Sequence, residues 1–530
     1  MEPAPGPARV VMVVPNRIDG DSRVQKAAAS IAAAGWETHL IGVSVTGKQE
    51  PYEQDGAVIH KIPLPKMDPP RSFRRNAAAL RYPLAYVDLE RAKRRERHLK
   101  AARLELEALR GGGDVHGGVR LPLLAHRVGR RLERAWVGRR VRQTKQRERY
   151  LKRDGRLDRI ERRWWGALLG DRAWRRLDIA MQRFELAYRP EIVELEPDLL
   201  HAHDAYSIGV CVRAAEHLRR KGKTVAVVYD AHEFVPGHEG LEPNKLEAQS
   251  RWERQYLPGA DAVVTVSHPL AKLLKARHGL DREPSVVYNA PLAHPAPRPD
   301  PGDLRSDCGL DAHTPLAVYI GWASPERQIE VIVEAARLVP GLHVAFMVSR
   351  HTTNPYVKRL IALGEEYGIA DRLHFRGYVD YEDLPRFIAT ADMGIHPMPT
   401  GSVNHEIALP NKFFEYCHAR LPLIVTEVKT LSAEVRRLGN GEVFTSGDAR
   451  SLAGAVERIL ADKDGYRRAY KDPALLEEYS WEHQAREYVR VYERLIGPAP
   501  SPSPGLEQAL PPQALPPKAL PPKALPPKEV

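Results

Sequence analysis

The stretch 404–422, NHEIALPNKFFEYCHARLP, sets a polar turn directly before a helix with one apolar face, and Leu421 to Val425 reads as the strand that follows. Pro410 stands where a helix can begin, because its missing N–H is not needed there. Phe413, Phe414 and Cys417 recur at helical spacing and supply a buried face. Glu415 is then a carboxylate on the first turns of a helix beside a sheet. The helix amino end offers free N–H groups and a positive partial charge to an anion, and Lys412 adds a full charge. A phosphate at the turn and a pair of ribose hydroxyls at the carboxylate would suit this arrangement. The plainer alternative is a surface glutamate in an ordinary βα unit.

The same alternation recurs on both sides of this stretch. Short apolar runs at Leu316 to Ile320, Leu342 to Val348, Leu373 to Arg376, Met393 to His396, Leu423 to Thr426 and Glu442 to Phe444 fit buried parallel strands. Helical patterns lie between them, notably Gln328 to Arg337 and Pro355 to Gly368. An earlier series opens with the strand Arg9 to Pro15, the alanine-rich helix Ser22 to Ala34 and the strand Glu37 to Val43. It resumes at Asp198 to His203, Thr224 to Tyr229, Asp261 to Val266 and Ser285 to Tyr288. Proline and charge without apolar periodicity mark Ala290 to Gly302 as a linker. The expected fold is α/β, with two Rossmann-like doubly wound domains at 8–289 and 303–478 and a foreign helical insertion at about 85–190.

Ligands of such sheets bind at the carboxyl ends of the strands. That rule selects Asp21, Ser22 and Arg23 in the first loop, NRIDGDSRV, where capping the following helix is an equal alternative for Asp21 and Ser22. It also selects His203 with Asp204, and Asp230 with His232 and Glu233, two polar clusters expected to face one crevice. A histidine–carboxylate set could hold a divalent metal, but lone histidines are more often structural hydrogen-bonders, and no metal site is expected.

Composition bounds these readings. A chain of 530 residues, 43% of them hydrophobic, has material for two or three domains. Cys211, Cys308 and Cys417 lie far apart and show neither metal-ligand spacing nor an even disulfide set, which suits a reducing cytoplasm. The amino end, MEPAPGPARVVMVVP, lacks a basic region, and its apolar run is short for a signal peptide or membrane span. Any membrane contact is therefore expected to be peripheral.

The segment ALPNKFFE resembles the nucleotide-binding motif of family-4 glycosyltransferases, and NRIDGDSRV, HAHD and YDAHE are similar to further segments of that family. The resemblance implies the two-Rossmann GT-B architecture, with 479–497 as a closing helix that returns to the first domain. It implies a retaining transfer from a nucleotide-diphosphate sugar to a glycan or lipid-linked acceptor, with no cofactor. In that family Glu415 would bind the donor ribose and His203 would approach the donor sugar. Gly321, Leu409, Pro410, Asn411 and Lys412 would surround the donor, and Arg327 would face its diphosphate where the family commonly has lysine. Two departures stand out. Trp322 replaces an arginine, and Ile407 replaces a sugar-facing glutamate, so that either the neighbouring Glu406 takes that role or backbone groups serve instead. The alternatives are a GT-B nucleotide-sugar epimerase and a non-catalytic membrane-associated scaffold.

The insertion holds the basic charge of the chain. From Arg91 to Ala180 there are 28 Lys plus Arg against 11 Asp plus Glu, a net of +17, whereas the whole chain is +12. Trp136, Trp164, Trp165 and Trp174 fall in the same segment, and helical spacing puts Ile160, Trp164 and Leu168 on one face. Arginine and tryptophan on one amphipathic helix fit an anionic membrane surface; tryptophans buried against the first domain, with solvated arginines, are the bland alternative. No recognised nucleic-acid module accompanies the charge, so nucleic acid is not the expected partner. The tail 498–530, with ALPPQ and three copies of ALPPK, reads as extended and coreless.

Overall fold

The computed structural model describes residues 7–67, 70, 72–111, 120–151, 154–296, 298–349 and 351–500. The repeats of the expected tail lie outside the described residues. Chain contacts define two units, one of Met1–Met67, Ala180–Glu239 and Trp252–Val530, the other of Asp68–Ile179 and Gly240–Arg251.

The larger unit holds two sheets. The strands of the first are β1 (Arg9–Val13), β2 (Glu37–Ser44), β3 (Tyr52–Gln54), β4 (Ala57–Pro63), β5 (Leu199–His203), β6 (Ala226–Ala231), β7 (Ala262–Thr265) and β8 (Ser285–Val286). Their order across the sheet is β3-β4-β2-β1-β5-β6-β7-β8. Val10 of β1 lies beside Leu199 of β5, so the chain leaves the sheet and comes back next to the strand where it began. Val10, Val11, Met12 and Val13 are fully buried, as a parallel strand covered on both faces requires. The edge hairpin β3–β4 is not among the strands expected from sequence. It turns through Asp55 and Gly56, both at positive φ (51° and 78°), which is the geometry an Asp-Gly pair supplies to a two-residue hairpin.

The second sheet runs β11-β10-β9-β12-β13-β14. Its members, all parallel, are β9 (Leu316–Gly321), β10 (His343–Val348), β11 (Leu373–Arg376), β12 (Met393–His396), β13 (Leu423–Thr426) and β14 (Gly441–Phe444). The last helix, Trp481–Ile496, begins at Ser480, whose hydroxyl accepts from the His483 N–H at 3.2 Å. It then joins the core of the first sheet, where Trp481, Tyr488, Val491 and Tyr492 pack with Trp36, Ile31 and Leu40. The Trp481 indole N–H donates to Ser30 Oγ at 2.9 Å. Three such aromatic side chains, at about 150–250 Å² each, contribute on the order of 10 kcal/mol of burial free energy as an upper bound. That is ample to hold the end of the chain on the first sheet.

The smaller unit is helical, with Phe73–Arg81, Leu89–Gly111, Arg120–Leu151 and Arg156–Leu169 as its main elements. Its apolar core is small, formed by Tyr86, Ala92, Val137 and Val141. Polar contacts add to it. The Arg74 guanidinium donates to Asp158 and, through Nε, to the Tyr150 carbonyl at 2.7 Å. Arg162 pairs with both oxygens of Asp154 at 2.9 Å. Of the four tryptophans singled out above, Trp174 is fully buried, while Trp136 and Trp164 are each 49% exposed.

Candidate active site

Tyr416 fixes the helix Asn411–His418 on the second sheet. Its ring covers Gly394 of β12, where a Cβ would come within 2.5 Å of the ring. Its hydroxyl accepts from the Ile320 N–H at 3.1 Å and lies 3.2 Å from the Val318 and Ile395 carbonyls, which ties the helix to both β9 and β12. Pro410 caps the helix in extended conformation without a side-chain bond; the Phe413 N–H donates to its carbonyl at 2.9 Å, and the N–H groups of Asn411 and Lys412 remain available. At the end of β9 the chain turns at Gly321, φ +149°, and the Tyr319 hydroxyl donates to the Trp322 carbonyl at 2.9 Å. Trp322 itself is 54% exposed. Arg327 closes the single turn Pro325–Arg327 and is half-buried.

Between these elements lies His396, the last residue of β12, whose two ring nitrogens are buried without a hydrogen-bond partner among the described residues. Burial first, then the positive charges of Arg327 and Lys412, push its pKa down to about 3. The imidazole is therefore neutral at physiological pH, and two cations from separate elements act on one buried point. Nearby, Lys412 Nζ lies 3.4 Å from Glu415 Oε2, an oxygen that makes no hydrogen bond. Leu409 is half-buried beside Pro410, and Asn411 is exposed at the helix start. Glu406 is occupied otherwise. Its carboxylate accepts from the Lys429 N–H at 2.9 Å and from the Gly401 N–H at 3.4 Å, and so caps the helix Lys429–Leu438, whose own cap residue, Val428, makes no side-chain bond.

The polar residues of the first sheet converge on Asp230. Arg23 donates to both of its oxygens at 2.9 Å, Tyr488 donates at 2.7 Å, and the rings of His203 and His232 each approach to 3.3 Å. His201 stands 4.0 Å away and is bonded at 2.7 Å to the Tyr492 hydroxyl. Burial alone would raise the Asp230 pKa, but Arg23 and His232 outweigh it and hold the carboxyl well below the usual range. Burial lowers His203, whereas at His232 the Asp230 charge overcomes burial and raises the pKa. Asp204 adopts φ +66° and accepts from the Ala205 N–H at 2.7 Å as a helix cap. Glu233 pairs with His238 at 3.0 Å. In the first loop Asp21 caps the helix Ser22–Ala33 and accepts from the Asn16 amide at 2.6 Å. Ile18 beside it is fully buried at φ +69°, a strained conformation for a β-branched residue that the surrounding bonds enforce. The two sheets meet near these edges. Asn404 exchanges two hydrogen bonds with the Phe234 backbone, at 2.9 and 3.2 Å, and Ser267 Oγ donates to the Ile407 carbonyl at 2.8 Å.

The model of the family "Glycosyl transferases group 1" matches residues 303–474, and that of "Glycosyltransferase Family 4" matches residues 118–290. Each model covers about a third of the chain, and together they mark it as a glycosyltransferase of the group 1 and family 4 kind. It is a GT-B enzyme that moves a sugar from a nucleotide-sugar donor to an acceptor. The D-inositol 3-phosphate glycosyltransferase of Nocardia farcinica is 27% identical over 314 residues, which are 56% of this chain and 67% of that protein. The protein of the same name from Mycolicibacterium gilvum is 26% identical over 307 residues, 56% of this chain and 66% of its own. The chain thus spans about two thirds of the length of these curated relatives. Sucrose-phosphate synthase from Thermosynechococcus elongatus shares the fold, with a TM-score of 0.57 and 15% identity over 92% of this chain and 99% of that one.

In this glycosyltransferase His201, His203 and Asp230 lie close enough together to bind a metal ion. However, the Arg23 guanidinium already sits on both Asp230 oxygens, and its charge opposes a second cation there. The cluster reads as a structural hub. His396 was not among the residues selected from sequence, although its position at the end of an apolar strand was the available signal.

Proposed function

We propose that the enzyme transfers a hexosyl unit, with retained configuration, from a nucleoside-diphosphate sugar to a saccharide or lipid-linked acceptor of the cell envelope. In this reading residues 303–478 bind the donor, residues 8–289 bind the acceptor, and the enzyme works in the cytoplasm, peripherally at the membrane. The observation that carries the donor assignment is the convergence of Arg327, Lys412 and a free helix amino end around the unpartnered His396, next to an unbonded Glu415 oxygen. A diphosphate would take the two cations and the helix N–H groups, and Glu415 would accept from the ribose hydroxyls. As the glycosidic bond to the diphosphate breaks, negative charge grows on the leaving phosphate, and these fixed donors stabilise it without reorganising. Because Glu406 is committed to backbone N–H groups, backbone donors of the segment 401–409, around the short helix Val403–Ile407, are the better candidates to face the sugar. On the acceptor side, Asp21, Ser22, Asp204, His232 and Glu233 are proposed to line the cleft, with Arg23 and His203 positioned through Asp230.

A screen of UDP-, GDP- and ADP-sugars for hydrolysis and thermal stabilisation identifies the donor. With that donor, Glu415→Ala removes a charge-assisted contact of roughly 1.5–3 kcal/mol and is expected to weaken donor binding or turnover at least about tenfold. Wild-type kinetics in the folded variant would remove Glu415 from the site. A chelator is expected to leave turnover unchanged, and strict metal dependence would count against the proposed chemistry.

A further inference from the structure

The helix Arg156–Leu169 is amphipathic in the reverse of the usual sense. A helix on a globular unit normally buries its apolar stripe and shows its charges to water. Here the buried positions are Asp158, which receives the Arg74 guanidinium, and Glu161, which accepts from the Phe73 N–H at 3.1 Å. The apolar stripe is outside. Leu157, Ile160, Trp164 and Leu168, spaced three, four and four residues apart, are 40%, 56%, 49% and 61% exposed. Phe73, 40% exposed, extends the stripe, with its ring centroid 6.0 Å from that of Trp164. Arg156, Arg159 and Arg163 are exposed on the same helix. One ion pair and one backbone hydrogen bond hold the inner face while large apolar side chains stand in water, which isolated burial of the helix does not explain.

We propose that this stripe is a docking surface for an anionic lipid bilayer. The aromatic and aliphatic side chains enter the interface, and the three arginines meet the headgroup phosphates. The charge and the composition choose this partner. Leucine, isoleucine and tryptophan flanked by arginine match an apolar layer bounded by anions, while a nucleic acid would leave the aliphatic part of the stripe exposed. No helix among the described residues is long and apolar enough to cross a membrane, so the contact is superficial. The inference rests on the reading of the enzyme as membrane-peripheral and names the element responsible.

The test is flotation of the full chain with vesicles of phosphatidylcholine, with and without phosphatidylglycerol, beside two triple variants. In one, Ile160, Trp164 and Leu168 become serine; in the other, Arg156, Arg159 and Arg163 become glutamine. Wild type is expected to float with anionic vesicles only, and less at high salt. The arginine variant should lose roughly a hundredfold in partition, at about fivefold per cation. The apolar variant should lose tenfold or more. Since the replaced side chains are exposed, both variants are expected to keep wild-type melting and donor hydrolysis. Quenching of wild-type tryptophan fluorescence by lipids brominated on the acyl chain gives a readout without any substitution. If wild type binds anionic vesicles and both variants match it, the helix assignment falls while the peripheral reading stands. Absence of wild-type binding removes both. Equal recovery on neutral vesicles overturns the headgroup assignment, and retention on RNA but not on vesicles makes nucleic acid the partner instead.

Discussion

Replacing Asp230 with alanine is expected to destabilise the first sheet by about 3–5 kcal/mol, the range seen when one member of a buried ion pair is removed. The cause is what stays behind. Arg23 is 3% exposed, and its remaining partner is the Val287 carbonyl at 2.7 Å, so its charge would be left in a dry interior. Tyr488, His203 and His232 would lose the same acceptor. Urea denaturation followed by tryptophan fluorescence measures the loss, and hydrogen exchange should show it in β5, β6 and the helix Trp481–Ile496. A loss below about 1 kcal/mol would mean that the hub does not carry the load assigned to it. The double variant Arg23→Met, Asp230→Leu should recover most of the stability, because no charge is then stranded. The pH dependence follows from the depressed Asp230 pKa. The stabilisation is present above the unfolded value of 3.8 and is lost only as pH falls through the much lower folded value. The pairing should therefore survive mild acid.

Removing both cations of the proposed donor site, Arg327→Ala with Lys412→Ala, is expected to lower kcat/KM for the nucleotide sugar by about 10²–10⁴. Each charge-assisted contact is worth roughly 1.5–3 kcal/mol, and 1.36 kcal/mol is one decade in rate. If the cations act chiefly on the leaving phosphate, kcat falls with kcat/KM and a donor with a better leaving group is less affected; if they only hold the donor, KM rises alone. Kinetics within threefold of wild type would dismiss the diphosphate assignment. Both residues are half-buried, so the fold should survive the change.

The strands of both sheets were legible because parallel strands buried on both faces leave continuous apolar runs, such as RVVMV in β1 and HVAFMV in β10. The helix Asn411–His418 was legible from Pro410 and its apolar spacing. The hairpin β3–β4 escaped, although Asp55-Gly56 is a turn signal, because the three-residue strand before it has no apolar pattern. The partners of the site residues were less accessible. Arg23 meets Asp230 207 residues away, and Tyr488 meets it across 258. No local spacing encodes such pairs. His396 became visible only when three elements brought two cations to a buried, unbonded ring. The capping role of Glu406 likewise depends on Lys429, 23 residues on, in another helix.

The return of the last helix to the first sheet has a consequence for how the protein is made. Tyr488 and Trp481, which complete the core of the sheet that holds β1, are among the last described residues to leave the ribosome. At about 5–20 residues per second, the 258 residues between Asp230 and Tyr488 take roughly 13–50 s to synthesise. For that interval the nascent amino-terminal half carries a vacant aromatic groove and an Asp230 without its tyrosine. It can collapse, but it cannot finish. The amino-terminal half therefore keeps apolar surface uncovered for longer than its sheet topology alone would suggest, and it completes its core only after the second half has been translated.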